Sequence, residues 1–189
     1  MEIHSQTDRL TEEGWFIRDY TLTSKQTYIW GMLIALPFVT LAGGLYRVFL
    51  LNRAVLLNHT SQILLAIIVV SLPVHELLHG LGWALAGRLE KDQINFLLQH
   101  GMAMCTCRAV LSTKAYLTGV LLPFLVLGGG SVVFLIVYPG TISVLTALVN
   151  LLLPGADLLI AWKILRSGAV KIADSPNQAG FVGLYPPQK

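Results

Sequence analysis

The sequence predicts an all-α membrane protein with about four transmembrane helices and a short cytoplasmic β-hairpin or re-entrant loop between the second and third. Composition is the first observation behind this prediction, because 54% of the 189 residues are hydrophobic and only 12% are charged. A soluble domain carries about twice that charged fraction, and a soluble protein of this length would expose the excess apolar surface to water. The composition therefore excludes a soluble enzyme and a disordered chain.

The second observation is that the apolar residues form long stretches, each near the roughly 20 residues that a helix needs to cross a bilayer. Tyrosine and tryptophan residues lie near the ends of these stretches, as they do at membrane interfaces. The predicted spans are Tyr28–Leu51, Ser61–Ala86, Tyr116–Tyr138 and Ile142–Leu165.

The distribution of charge predicts the domain organisation and the orientation. Residues 1–27 are polar and acidic and lack the apolar run of a signal peptide. With no long linker in the chain, we expect a single integral membrane domain, 1–189, with a transmembrane core at 28–166 and a tail at 167–189. Four spans would place every lysine and arginine except Arg47 and Arg53 on the side of the termini. Both termini of this multi-pass cell-membrane protein should therefore be cytoplasmic.

The segment between the second and third predicted spans, residues 87–115, carries a period-2 pattern that is typical of a β-hairpin. A re-entrant segment is the alternative. The pattern consists of Ile94, Phe96 and Leu98 alternating with Asn95, Leu97 and Gln99, then a turn at Gly101 into Met102–Cys107. The two cysteines in this segment, Cys105 and Cys107, are too few for a disulfide framework. With His100 they could bind a metal, but inert thiols are the favoured alternative, because a single Cys-x-Cys pair is not a specific metal motif.

Acidic residues are rare inside the predicted spans, where only Glu76 and Asp157 occur, and the other eight of the ten should be reached by water. Glu76 lies within the motif His75-Glu76-Leu77-Leu78-His79. Imidazoles at i and i+4 share one helical face and can bind a single metal ion, and the intervening glutamate can take a proton from metal-activated water. Hydrogen bonding between helices is the alternative role for these residues, although ionisable groups are costly packing material in a membrane.

Asp157 is the predicted third ligand, because a catalytic zinc site uses three protein ligands and the other three histidines lie outside the spans. His79 lies nine residues before Arg88, and Asp157 lies nine residues before Arg166. At 1.5 Å per helical residue, both lie about 13 Å from the same membrane edge. The alternative for Asp157 is a neutral, hydrogen-bonded carboxylic acid.

Proline residues precede both groups of polar residues. Pro73 lies two residues before His75, and Pro154 lies three residues before Asp157. Proline interrupts helical hydrogen bonding, and broken helices are tolerated at membrane depth where they line a cavity. Asn150, two turns before Asp157, could bind the substrate backbone or a zinc ligand, or simply join two helices.

The motif His75-Glu76-Leu77-Leu78-His79-Gly80, followed by Asn150 and Gly155-Ala156-Asp157-Leu158, resembles the zincin peptidase family of short bacterial membrane proteins. That family is similar to the site-2 protease type of intramembrane zinc metalloproteases. The resemblance covers most of the chain from the second span onward, including Asp174-Ser175-Pro176-Asn177. It implies Zn2+ held by His75, His79 and Asp157, with Glu76 as general base. The site-2 pattern Asn-Pro-x-x-Asp-Gly is replaced here by Pro154-Gly155-Ala156-Asp157-Leu158, and no PDZ-like domain is present.

The sequence therefore predicts an intramembrane zinc metalloendopeptidase that cleaves membrane-embedded or membrane-associated substrates near the cytoplasmic side. An extended substrate would pair with the hairpin edge, with Phe96, Leu98 and Asn150 as substrate-binding candidates. A single membrane aspartate is too few for an aspartyl protease, and a Ser/His protease leaves the HExxH spacing unexplained. The main alternative is a non-catalytic membrane metal-binding protein, transporter subunit or scaffold. Expected partners are a membrane protein or peptide substrate and the lipid bilayer, with a homo-oligomer or accessory subunit left open. The net charge of +3 does not suggest a nucleic-acid partner.

Overall fold

A computed structural model describes residues 2–50, 59–99, 102–175 and 178–187. In chain order the elements are α1 (Glu2–Glu12), β1 (Phe16–Asp19), α2 (Ser24–Leu50), α3 (Thr60–Gly87), β2 (Ile94–Gln99), β3 (Met102–Cys107), β4 (Leu111–Ser112), α4 (Thr113–Pro123), α5 (Gly129–Val137), α6 (Thr141–Leu152), α7 (Gly155–Ser167), β5 (Lys171–Asp174) and β6 (Phe181–Tyr185).

Four helical stretches among the described residues are long and apolar enough to cross a membrane. Their bounds lie within a few residues of the predicted spans, and the chain is consistent with a membrane protein on this ground. The third stretch consists of α4 and α5 with a π-helical turn between them, and the fourth consists of α6 and α7. The four stretches are Ser24–Val48, Thr60–Gly87, Thr113–Val137 and Thr141–Ser167.

The prolines differ in their effect on the helices. Pro154 lies between α6 and α7, so the fourth stretch is interrupted three residues before Asp157, as expected. Pro73 lies inside α3, which continues without interruption to Gly87, so the break expected there does not form. Pro123 ends α4 and is followed by the π-helical turn at Phe124–Gly128. The interruption that bears on the polar residues therefore belongs to the fourth stretch.

Strands make the all-α prediction incomplete. The segment between α3 and α4 forms an antiparallel hairpin of β2 and β3, in which Ile94 pairs with Cys107 and Gln99 with Met102. A second, four-stranded antiparallel sheet has the order β1-β6-β5-β4. Its strands come from segments for which the sequence analysis predicted no regular structure, because each strand has only two to five residues.

The four-stranded sheet joins three distant parts of the chain at one end of the helices. It takes β1 from before α2, β4 from before α4, and β5 and β6 from after α7. A buried cluster connects the sheet to the helices, and its largest members include Trp83, Tyr116, Ile164, Ile172 and Phe181.

Candidate metal centre

Three predicted ligands from two helices meet in the structure. His75 and His79 lie one turn apart on α3, and Asp157 lies in the first turn of α7. Nε2 of His75 lies 3.0 Å from Oδ2 of Asp157, and Nε2 of His79 lies 3.4 Å from Oδ1. The two Nε2 atoms are 3.1 Å apart. Among the described residues, these three form the one group of three or more acidic, histidine or cysteine side chains that could hold a metal ion.

The donor atoms of this group fit a zinc ion. Ligand atoms about 2.0–2.1 Å from a tetrahedral zinc lie about 3.3 Å from one another, close to the separations observed here. Both imidazoles are almost fully buried, with 5% of His75 and 6% of His79 exposed. Two imidazole nitrogens and one carboxylate also leave a fourth position for water, as catalytic zinc sites do.

The outer nitrogen of His79 has a partner that orients the ring. Nδ1 of His79 lies 2.9 Å from the carbonyl oxygen of Gly119 on α4. A carbonyl oxygen can only accept a hydrogen bond, so Nδ1 carries the proton and the lone pair of Nε2 is free for a metal. A histidine that binds a metal usually donates its other ring N–H to a carbonyl or carboxylate oxygen in this way. Gly119 was not predicted, because nothing in the sequence links it to α3.

Glycine at position 119 is required by the indole of Trp83. A Cβ atom at Gly119 would clash with Cδ1 of Trp83, and a Cβ at Gly82 would lie 2.7 Å from Cα of Gly119. The two glycines therefore allow α3 and α4 to approach closely. The Trp83 ring stacks on His79 with a centroid separation of 5.5 Å, and its Nε1 donates to the Tyr116 carbonyl at 3.1 Å. Packing thus fixes both the ring and the hydrogen-bond partner of His79.

Glu76 connects the motif helix to the hairpin. Its Oε2 accepts a hydrogen bond from the backbone N–H of Cys105 on β3, with a distance of 2.6 Å. The side chain lines a cavity of about 150 Å3 that is also lined by His79 and Asp157. A cavity of this size has room for several water molecules. The geometry thus brings a carboxylate, the ligand group and space for water together.

A comparison with family models decides which family these residues belong to. The model described as "Putative zincin peptidase" matches residues 67–170, which is more than half of the 189-residue chain. The chain belongs to this family. No curated protein and no solved structure matches it.

Membership in the zincin peptidase family indicates a zinc-dependent metallopeptidase. The matched residues run from α3 to the end of the fourth stretch, so they contain His75, Glu76, His79 and Asp157. The match ends at residue 170, before β5. The matched range therefore contains the ligand group but neither of the last two strands.

Asp174, at the end of β5, is the main correction to the sequence analysis. It was expected among the acids that water reaches, but only 8% of it is exposed. Its Oδ1 accepts a hydrogen bond from the Tyr116 hydroxyl at 2.6 Å, and its Oδ2 accepts one from the Cys107 N–H at 2.9 Å. Burial raises the pKa of Asp174 to about 6, although these hydrogen bonds lower it. Asp174 and Tyr116 both line the cavity beside Glu76.

The two cysteines take the inert role. Burial raises the pKa of both Cys105 and Cys107 to about 12, so the thiols stay protonated at neutral pH. The Cys107 thiol donates to the Ala109 carbonyl at 3.5 Å. His100, which could have bound a metal together with these cysteines, lies outside the described residues.

The three substrate-binding candidates lie in different environments. Asn150 on α6 is 4% exposed, and its Oδ1 has no hydrogen-bond partner within the described part of the chain. Phe96 on β2 is 52% exposed, and its ring tip lies against Gly80 on the motif helix. Leu98 belongs to β2, but its side chain is outside the described residues. Their role in binding stays a prediction.

Proposed function

We propose that this chain is an intramembrane zinc metalloendopeptidase of the site-2 protease type. The observation that carries the proposal is that His75, His79 and Asp157, from two membrane-length helical stretches, lie close enough together to bind one metal ion. Glu76 lies beside them and lines a cavity that has room for several water molecules. Membership in the zincin peptidase family supports the peptidase part of the proposal. The apolar stretches that carry the ligands support the intramembrane part.

Each polar residue of the centre has a distinct task in this proposal. His75, His79 and Asp157 would hold Zn2+, which, when bound, polarises a carbonyl group and acidifies water. Glu76 takes a proton from the attacking water and delivers it to the leaving amine. The N–H of Cys105 holds one oxygen of Glu76, which restricts the rotation of the carboxylate. The Gly119 carbonyl keeps His79 in the tautomer that can bind a metal.

The orientation of the protein follows from the charge distribution. With four spans, all lysines and arginines except Arg47 and Arg53 would lie on the side of the termini and the hairpin, and that side would be cytoplasmic by the positive-inside rule. We assign the protein to the cell membrane with both termini in the cytoplasm. Cleavage then takes place near the cytoplasmic face.

The substrate must be extended at the cleaved bond, because a helix hides its carbonyl groups. The hairpin has two outer edges, and the edge of β3 already donates the N–H groups of Cys105 and Cys107 to Glu76 and Asp174. The outer edge of β2 pairs with no other described strand. We therefore assign substrate pairing to β2, with Phe96 and Leu98 as contacts.

The N–H of Phe96 gives a direct test of strand pairing. Phe96 pairs with Cys105 across the hairpin, and since Cys105 directs its N–H outward, Phe96 does so too. Phe96→Pro should reduce peptide cleavage about tenfold more than Phe96→Ala, which removes the ring but keeps the N–H. Zinc content should stay normal in both. Equal cleavage by the two variants would contradict pairing at this edge.

Glu76→Gln tests the proposed function itself. Glutamine keeps the size of the side chain but cannot act as a base, so cleavage should fall by a factor of about 1,000 or more while zinc binding persists. Zinc is quantified on the purified protein, and cleavage is followed on co-expressed membrane peptides. Wild-type cleavage by Glu76→Gln would exclude this mechanism. Zinc binding without cleavage by the wild type would favour a non-catalytic metal-binding protein or scaffold.

A further inference from the structure

Asp174 is a buried carboxylate that the proposed reaction does not use. It lies four residues beyond the family match, and it makes no ion pair with the described lysines, arginines or histidines. A buried carboxylate without a cation costs free energy unless hydrogen bonds compensate. Besides the neighbouring N–H of Ser175, its hydrogen-bond donors are Tyr116 on α4 and Cys107 on β3, two elements that both contribute residues to the lining of the cavity.

The first hydrogen bond leads to the metal ligand His79. The Tyr116 hydroxyl donates to Asp174, and the Tyr116 ring stacks on Trp83 with a centroid separation of 5.4 Å. Trp83 in turn stacks on His79 and donates to the Tyr116 carbonyl. Tyr116 is 2% exposed and Trp83 is 4% exposed. In this dense stack, a rotation of the Tyr116 ring displaces Trp83 and then His79.

The second hydrogen bond leads to the base, Glu76. The N–H of Cys107 donates to Asp174, and two residues earlier on the same strand the N–H of Cys105 donates to Glu76. N–H groups at i and i+2 of a strand point to the same side. Asp174 and Glu76 therefore accept hydrogen bonds from the same edge of β3.

We propose that Asp174 is a positioning residue of the metal centre, which fixes His79 through Tyr116 and Trp83 and fixes Glu76 through the edge of β3. This inference rests on the proposed function only for the role of Glu76. Its effect on His79 concerns metal binding alone. β5, beyond the family match, is then part of the metal centre. The rival explanation is that Asp174 only joins the sheet to the helices.

Metal affinity separates these explanations without any cleavage assay. Tyr116→Phe removes the hydroxyl and keeps the stack, so zinc affinity in chelator competition should fall about tenfold, at the low end for outer partners of metal ligands. The visible spectrum of the cobalt-substituted protein should also change, since it reports ligand geometry. Tyr185→Phe is the matched control, because its hydroxyl bonds Tyr20 and the Ser167 carbonyl away from the ligand group.

Asp174→Asn tests both routes at once. Asparagine keeps the shape of the side chain but replaces one acceptor oxygen with an NH2 group, which cannot accept the hydrogen bond that this oxygen receives. Zinc affinity should fall at least as far as in Tyr116→Phe. At saturating zinc, kcat should fall about tenfold further than in Tyr116→Phe, because Glu76 is also displaced. A variant that combines Tyr116→Phe with Asp174→Asn should bind zinc no more weakly than Asp174→Asn alone, because both changes disrupt the same connection to His79.

The outcomes distinguish this inference from the proposed function. Wild-type zinc affinity and cobalt spectra in both Tyr116→Phe and Asp174→Asn would overturn the positioning role, whatever the peptidase activity. An equal loss in Tyr185→Phe would also overturn it, because the effect would then be general destabilisation. If the wild type binds zinc but cleaves nothing, the proposed function fails, while weaker zinc binding in the two variants still supports the positioning of His79.

Discussion

Asp157 and Asp174 are both largely shielded from solvent, with 16% of the Asp157 side chain and 8% of Asp174 exposed, but they have different partners. Asp157 faces two imidazole nitrogens at 3.0 and 3.4 Å, and all three groups can share one cation. Asp174 faces a phenol hydroxyl and backbone N–H groups, and among the described residues it belongs to no group of three side chains that could hold a metal ion. The comparison teaches that burial alone does not identify a ligand. The donors around a carboxylate decide whether it binds a metal or holds the protein around the metal.

The largest effect on zinc binding is expected from the removal of Asp157. Asp157→Ala leaves only two protein ligands, so zinc affinity should fall by a factor of more than about 100, and zinc should be lost during purification. Metal analysis of the purified variant beside the wild type measures this directly. Normal zinc content in Asp157→Ala would show that Asp157, like Asp174, is not a zinc ligand.

The pH dependence of stability tests the environment of Asp174. Its folded pKa, about 6, lies above the ordinary value of 3.8, so the fold favours its neutral form. The resulting stability is fully present below pH ~4 and is lost as the pH rises through about 6. Two pKa units correspond to about 3 kcal/mol in the free energy of unfolding.

The measurement is the thermal midpoint of the metal-free protein in detergent, compared with that of Asp174→Asn, which does not titrate. The advantage of the wild type over the variant should be larger at pH 4 than at pH 7. A constant difference between the two proteins across this range would show that Asp174 is ionised without strain and would contradict its burial without a cation.

A smaller effect on zinc affinity is expected from a substitution at Gly119, whose carbonyl oxygen is the hydrogen-bond partner of His79. Gly119→Ala places a methyl group against the Trp83 ring, and overpacking of this kind costs about 2 kcal/mol. Zinc affinity should fall with it, because the Gly119 carbonyl moves. Gly130→Ala is the control, since a Cβ there meets nothing within 4 Å, and alanine is the better helix former. Unchanged zinc affinity in Gly119→Ala would show that zinc binding does not depend on the Gly119 carbonyl that orients His79.

The ligand group could be predicted from sequence because the membrane makes polar residues conspicuous. Glu76 and Asp157 stand within apolar runs, and helical rise alone brings Asp157 to the depth of His79. The period-2 pattern likewise predicted the hairpin that contains Phe96. Each of these inferences uses spacing within one element or a constraint that the bilayer imposes.

Asp174 and Gly119 could not be predicted, because their roles arise from contacts between distant elements. Asp174 lies in a polar tail, where an acidic residue looks ordinary, and it is buried only because β5 pairs within a sheet. Gly119 acts through its backbone carbonyl, which every residue has. Its missing Cβ matters only because Trp83 lies against it. The family resemblance included the segment Asp174-Ser175-Pro176-Asn177 but gave Asp174 no role, and Gly119 has no local pattern that marks it.

The pairing of β1 with β6 has a consequence for the order in which the protein can assemble. Phe16 pairs with Tyr185 and Asp19 with Val182, so β1 leaves the ribosome long before its partner exists. All four membrane-length helices are synthesised in the interval. β1 must therefore remain without its strand partner until β6 has been made, and the sheet closes only afterwards. Closure of the sheet is also the step that brings Asp174 to its donors, so this contact can form only after the four membrane-length stretches of the described chain have been synthesised.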